Sequence, residues 1–569
     1  MRPRVWAPRA RKVELKHGNR RTAMQAAEGG WWQSEVDLQA GDDYAFALDG
    51  GAPRPDPRSP WQPQGVHEAS RVYDPAAFDW SDDGWRPPAW SSAVVYELHV
   101  GTFSPEGTLD GARAQLEHLL ELGVTHVELM PIAAFPGKRG WGYDGVSLFA
   151  VQEAYGGPEA CQRFVNACHE RGLAVLLDVV YNHLGPSGNY LAEFGSYFTE
   201  RYHTPWGAAI NFDGADSHEV RAFFIANAVQ WLRDFHFDGL RLDAVHAIQD
   251  TAALTFLEEL AATVRGLEAV CGRALTLVAE SDANDPRLSA PVMAGGAGLD
   301  AQWDEDFHHA LHAALSGERQ GYYQDFGPLP VLATVFERGF WLDGRYSKLR
   351  RRRHGRPMTG SDGARLVVYS QNHDQIGNRA QGERTSQLLT PGLLRVAAAL
   401  TLLSPFVPLL FQGEEWGAST PFLYFTDHGE PELAAAVRQG RPPESPDPQA
   451  AHTLARCRLR WEELALPEHA ALWEWYRALI RLRRTTTLTT HEMHGERARA
   501  SERQRWLTVA RGPWRIACNL AAQPQPVPLG AAGGRWQVVL ASAPLPAAVA
   551  GEAVALPPES VAILRAAEH

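Results

Sequence analysis

Leu173-Ala-Val-Leu-Leu-Asp-Val-Val180 is apolar everywhere except at Asp178. A strand with one wet face alternates polar and apolar residues. A run this continuous describes a strand buried on both faces, as in a parallel sheet covered by helices. Upstream, Pro158 to Arg171 has helical spacing, with its proline at a tolerated first-turn position. Before it lie a strand from Val124 to Met130, a helix from Leu109 to Leu122 and a strand from Val94 to Val100. Downstream the pattern breaks at Tyr181 into Gly, Pro, Asn and aromatic residues, a structureless insertion of a length that is usually functional.

Alternation then resumes. Helix Val220 to Phe235 precedes strand Asp238 to Asp243, helix Leu254 to Leu267 and strand Leu275 to Glu280. Strand Ala301 to Trp303, helix Phe307 to Leu315, strand Arg365 to Ser370 and helix Leu389 to Leu403 follow, then strand Val407 to Phe411 and helix Glu468 to Arg484. Eight strands, each followed by helical material, predict an α/β fold: a (β/α)8 TIM barrel over residues 86–486, with an excursion after strand three at about 181–216. On either side the helical period is absent. Residues 1–85 hold short β segments (Arg4 to Ala7, Lys12 to Leu15, Trp31 to Val36, Tyr44 to Leu48), which predict an N-terminal β-sandwich of Ig-like or carbohydrate-binding type. Residues 487–569, with segments at Trp506 to Val509, Trp514 to Asn519, Trp536 to Leu540 and Val561 to Leu564, predict a C-terminal β-sandwich.

The chain of 569 residues is long enough for several domains, and 45% apolar with 21% charged residues is an ordinary globular composition. A net charge of −13 speaks against a nucleic-acid partner, which needs clustered cations. The one basic run, Arg350 to His354, reads as a solvated loop. Five scattered cysteines without a C-x-x-C pair make a disulfide framework or zinc site improbable. The longest apolar run, Val396 to Leu410, is interrupted by Ser404 and Pro405, so no membrane span is expected. The N-terminus carries no exportable apolar segment, and a cytoplasmic location is expected. The 19 Trp, 15 Tyr and 22 Phe suit stacking on sugar rings, although aromatic residues also fill cores.

Active sites of such barrels sit where the strands end. Strand three ends Asp178-Val-Val-Tyr-Asn-His183, and strand four runs Arg241-Leu-Asp-Ala-Val-His246. Strand five ends at Glu280, and strand seven ends Ser370-Gln-Asn-His-Asp374. One buried carboxylate could be structural, but four strand ends converging on one mouth argue against that, and two or three carboxylates around one small volume are what glycoside hydrolysis needs: one kept protonated, another kept ionised. Arg241, two residues before Asp243, points to the same face and can hold it as an anion, whereas Glu280 has no cation nearby in sequence.

These four blocks resemble, in order and spacing, the four sequence regions of the α-amylase clan of retaining glycoside hydrolases. The resemblance implies that Asp243 is the nucleophile, Glu280 the general acid/base and Asp374 the carboxylate that holds the sugar hydroxyls. It implies substrate-binding roles for His183, Arg241 and His373, and for Tyr143 and Asp144 in the triplet Gly142-Tyr-Asp144. Further stretches are similar to the maltooligosyltrehalose trehalohydrolase family: Tyr96 to Phe103, Phe135 to Gly145, Leu240 to Ile248, Gln371 to Arg379, Phe411 to Gly417 and Pro421 to His428. The first strand begins almost at Met1, so a short leading segment common in that family is expected to be missing.

What this likeness implies is hydrolysis of the α-1,4 bond next to a trehalosyl end, releasing trehalose with net retention. The substrate would be supplied by maltooligosyltrehalose synthase, a pathway partner for which no direct binding is inferred. Acceptor-side recognition is expected from His246, Asp282 and Asp304, with Trp303, Tyr323, Phe326 and Trp416 as further candidates. No cofactor is expected. Asn182 matches a position that contributes to calcium in some clan members, but no further oxygen ligands accompany it. A 1,4-α-glucan branching enzyme, a debranching hydrolase and a catalytically silent glucan-binding protein remain as alternatives.

Overall fold

The computed structural model describes the chain apart from residues 359, 361, 487–489, 494–496, 531–533 and 568–569. Its centre is a closed barrel of eight parallel strands: β1 Val95–Leu98, β2 His126–Leu129, β3 Ala174–Val179, β4 Gly239–Leu242, β5 Thr276–Ala279, β6 Ala301–Trp303, β7 Leu366–Val368 and β8 Val407–Phe411. Every residue of β3 is buried, as its unbroken apolar run requires. The barrel closes where β8 pairs with β1, Leu409 opposite Val95. Adjacent registers then place side chains: Asp178 lies opposite Arg241 across β3 and β4, and Glu97 opposite Glu128 across β1 and β2.

Several elements depart from the sequence reading. The first strand stops at Leu98, and the chain turns into a short helix, Val100–Phe103. The helix read as Leu109 to Leu122 is split into Leu109–Arg113 and Leu116–Leu122. The insertion after β3 is not structureless: it holds the helix Leu191–Phe194 and a hairpin of Phe198–Thr204 with Gly207–Ile210. The basic run is not a plain loop either, since Arg352–Arg353 pairs with Tyr346–Ser347 as a small hairpin. It follows an unanticipated helix, Leu329–Arg338, whose proline lies in the first turn.

The N-terminal strands form a three-stranded and a five-stranded sheet. A strap then runs to the barrel. In it Ser81 N–H donates to Asn166 Oδ1, Asp82 accepts from His169 Nδ1 and His236 Nδ1 at 2.8 Å each, and Trp85 stacks on His169 while donating to Asp238 at 2.8 Å. His169 Nε2 donates to Asp238 at 2.9 Å. Asp238 immediately precedes β4, so these contacts fasten the strap to the N-terminal end of the barrel, opposite the strand ends that carry the site. The long helix Pro467–Thr485 closes the barrel, and the domain boundary drawn at residue 487 falls outside the described residues. Beyond it a six-stranded sheet from Arg497–Ser501 to Ser560–Ala566 faces a two-stranded one, Gln525–Pro528 with Ala553–Leu556. The five cysteines are free, and among the described residues no helix is long and apolar enough to cross a membrane.

Candidate active site

Arg241 organises the mouth of the barrel. It is buried on β4, with its guanidinium 4.3 Å over the ring of Trp303. Its Nη1 donates to Asp178 Oδ2 at 2.6 Å and to Asp243 Oδ1 at 2.9 Å, and its Nη2 lies 3.7 Å from Glu280 Oε2. One planar fork therefore spans the ends of three consecutive strands. Asn182, just past β3, donates its Nδ2 to both the carbonyl and Oδ2 of Asp243 at 2.8 Å. Both carboxylate oxygens of Asp243 thus face donors.

Glu280 is treated differently. Its Oε2 accepts the main-chain N–H of Ala244 at 2.6 Å. Burial pushes its carboxyl up to about 8; Arg241 opposes the rise, and Asp243 and Glu305 add to it. At neutral pH Glu280 therefore carries a proton. Two acids joined by one guanidinium have been given opposite environments, the division of labour that acid/base-assisted displacement at a sugar carbon needs.

The opposite wall is aromatic. Tyr143 donates to Asp178 at 2.5 Å and stacks on His373 with ring centroids 5.1 Å apart. His373 donates its backbone N–H to Glu97 Oε2 at 3.1 Å and its Nδ1–H to Glu97 Oε1. Asp374 next to it is exposed to the cleft and accepts from Asn378 Nδ2 at 2.7 Å. His183 stacks on Trp206, whose indole is 48% exposed at the tip of the insertion hairpin and turns an edge toward His246, 6.4 Å away. Asp144 lies 3.8 Å from His428, and burial raises its carboxyl.

On the β5 side Asp282 pairs with Arg350 at 2.5 Å. Burial raises the Asp282 carboxyl, but His246, Arg350 and His354 more than offset this and hold it below the usual range. Asp304 does not join this group. It is fully buried and caps the helix Glu305–Ser316, accepting from Phe307 N–H at 3.2 Å. Trp416 and Phe326 are buried in the core, Trp303 lies beneath Arg241, and Tyr323 stacks on His312 at 4.3 Å. The sequence reading missed four side chains of the mouth: Glu97, Glu305, Trp206 and Arg350. Glu305 accepts from Tyr369 and, at 2.7 Å, from Gln375, and burial pushes it up to about 7. Only Trp206, an aromatic residue in the insertion that follows strand three, left a signal. Among the described residues no cluster of His, Cys, Asp and Glu is arranged to hold a metal.

Against known proteins, the family model for the alpha-amylase catalytic domain matches residues 72–207, and a domain of unknown function matches 495–563. A malto-oligosyltrehalose trehalohydrolase of Arthrobacter ramosus is 51% identical over 96% of this chain and 96% of its own length. The Mycobacterium tuberculosis protein of the same description is 48% identical over 99% of each. The chain belongs to the malto-oligosyltrehalose trehalohydrolase family. As a member of that family it is a glycoside hydrolase. A solved structure of an alpha amylase candidate from Salmonella typhimurium, 37% identical, superposes on this chain with a TM-score of 0.91, covering 99% of this chain and 97% of that one.

Proposed function

We propose that the enzyme hydrolyses the α-1,4 bond next to the trehalosyl end of malto-oligosyltrehalose, releasing trehalose and a maltooligosaccharide. Asp243 attacks the anomeric carbon, and the bond from that carbon to the trehalose oxygen breaks. Glu280 delivers its proton to that oxygen. Water then attacks the glucosyl–Asp243 ester, giving its proton to Glu280 and freeing Asp243, so the anomeric configuration is retained. Asp374, His373, His183, Tyr143 and Asp144 hold the sugar on the donor side. Trp206, His246 and the Asp282–Arg350 pair offer a stacking face and polar partners for the departing disaccharide.

The observation that carries this reading is the contact of one guanidinium with both Asp243 and Glu280, while burial keeps Glu280 protonated. A branching transferase would use the same carboxylates. Likeness along the whole chain to relatives named for trehalohydrolase activity favours water as the acceptor. The substrate would be made by a malto-oligosyltrehalose synthase in the cytoplasm, with no direct contact required. The test is incubation with maltotriosyltrehalose and, separately, maltopentaose, with products separated by chromatography. Trehalose released rapidly from the first with little cutting of the second is expected. Branched or transferred chains from longer amylose would sink the reading.

A further inference from the structure

Glu97 sits inside the barrel on β1, yet its carboxylate reaches past β8 to the loop that follows β7. There it engages one residue twice, accepting the backbone N–H and the Nδ1–H of His373. Both side chains are buried, at 1% and 3% exposure. A buried ion pair is a poor source of stability, because desolvation cancels most of its attraction. Its geometry, in contrast, is restrictive. With Nδ1 bound inward, the other ring nitrogen, Nε2, is the one left for a sugar hydroxyl, and stacking on Tyr143 fixes the ring plane.

We propose that Glu97 is a positioning residue that acts through His373, holding its imidazole in a single orientation with Nε2–H as a donor to the bound sugar. The inference rests on the reading that His373 contacts substrate. The surroundings agree with a cationic ring. Burial lowers the imidazole, but Glu97 and Asp374 outweigh burial and the opposing charge of Arg241, so His373 lies above its ordinary range. His99, the other titratable ring nearby, is pushed down to about 4 by burial and is neutral. Trp141 and Trp303 add only ring contacts, at 5.6 and 6.1 Å. Glu128, opposite Glu97 on β2, is pushed well up by burial, and Glu97 is the acid bonded to the ring.

The experiment is a double-mutant cycle over E97Q and H373N, reading the pH profile of kcat/KM on whichever α-glucan the wild-type enzyme cleaves. Glu97→Gln keeps an acceptor for Nδ1–H and removes the charge, and thermal unfolding checks that it folds. E97Q is expected to lower kcat/KM by about 10- to 100-fold, by analogy with the partners that orient metal-binding histidines. The loss should deepen as pH rises, because the uncharged partner lets His373 shed its proton earlier. In the H373N background E97Q should add less than a twofold further loss. An E97Q effect of equal size with and without His373, or a loss that does not depend on pH, would overturn the proposal. If H373N alone changes kcat/KM by less than twofold, the reading of His373 as a sugar contact fails first, and this inference falls with it. If H373N is impaired but E97Q is not, only the role of Glu97 is lost.

Discussion

The backbone N–H that Ala244 donates to Glu280 comes from a left-handed residue, φ +39°, directly after Asp243. L-residues other than Asn, Asp and His rarely adopt this conformation, and holding it costs on the order of 1–3 kcal/mol. The strand end is thus bent at the position that lets the residue after Asp243 engage Oε2 of Glu280.

Glu280 should set the alkaline limit of activity. With its carboxyl at about 8, kcat/KM is expected to fall as pH rises through that value, and E280Q should lose about 10²- to 10⁴-fold. The stability that this group confers should fall over the same rise in pH. The folded value lies above the unfolded one, near 4.3, so the group's contribution is whole below about pH 4 and is lost as pH rises through 8. E280Q should therefore unfold at a higher temperature than wild type at pH 8 and at the same temperature at pH 4. Equal midpoints at both pH values would refute this.

Arg241 serves three carboxyl groups, so its removal strands them. R241A is expected to cost about 3–5 kcal/mol in denaturant unfolding, as breaking a buried pair does. R241K keeps the charge and loses the planar fork. It should stay folded while kcat/KM drops by about 10²-fold through misplacement of Asp243. A fully active R241K would show that the fork geometry is irrelevant.

Asp304 and Glu305 are adjacent acids with opposite roles. D304A removes a helix cap and should cost about 0.5–2 kcal/mol of stability while sparing activity. E305Q should lower kcat/KM more than D304A does, because its carboxyl is tied through Gln375 to the loop bearing Asp374. Steady-state kinetics and melting curves on both variants decide it, and the reverse ranking would disprove the assignment.

The strap under the barrel should show its own pH window. Burial raises Asp82, but hydrogen bonds from His169 and His236 more than offset it and hold it well below the usual range. Its contribution is present above about pH 4 and lost as pH falls through the folded value. Burial lowers His169, yet Asp238 and Asp82 raise it overall. Its contribution is present below about pH 6.5 and lost as pH rises through the folded value. The gap in melting temperature between wild type and D82N should be widest at about pH 4–6.5 and shrink toward pH 9. A gap that does not vary with pH would count against the network.

The strand-end reading located Asp243, Glu280, Asp374 and Arg241 because a polar residue that closes an apolar strand has few places to go. Glu97 escaped it for the opposite reason. It lies mid-strand in Val95-Tyr-Glu-Leu98, where a linear reading cannot tell a solvent-facing acid from one pointing into the barrel. Three acids in a row, Asp304 to Asp306, look alike in sequence, and only the start of the helix decides which one caps and which one faces the cleft. The helix Leu329–Arg338 begins between Pro328 and Pro330, residues that commonly mark a helix boundary, although the second occupies a permitted first-turn position. The insertion hairpin pairs only with itself, so no barrel periodicity marked it.

Closure of the barrel through β8 against β1 has a consequence for synthesis. Tyr96 on β1 bonds to Glu415 just beyond β8, a partner 319 residues further along the chain. At ribosomal rates of about 5–20 residues per second, that partner arrives on the order of 15–60 s later. Until then β1 has one bare edge and the apolar β3 has no finished sheet around it. The nascent chain is therefore most exposed to misassociation after its first barrel strand has emerged and before its last one does. Chaperone dependence should track the delay between those two strands more closely than the total length of the protein.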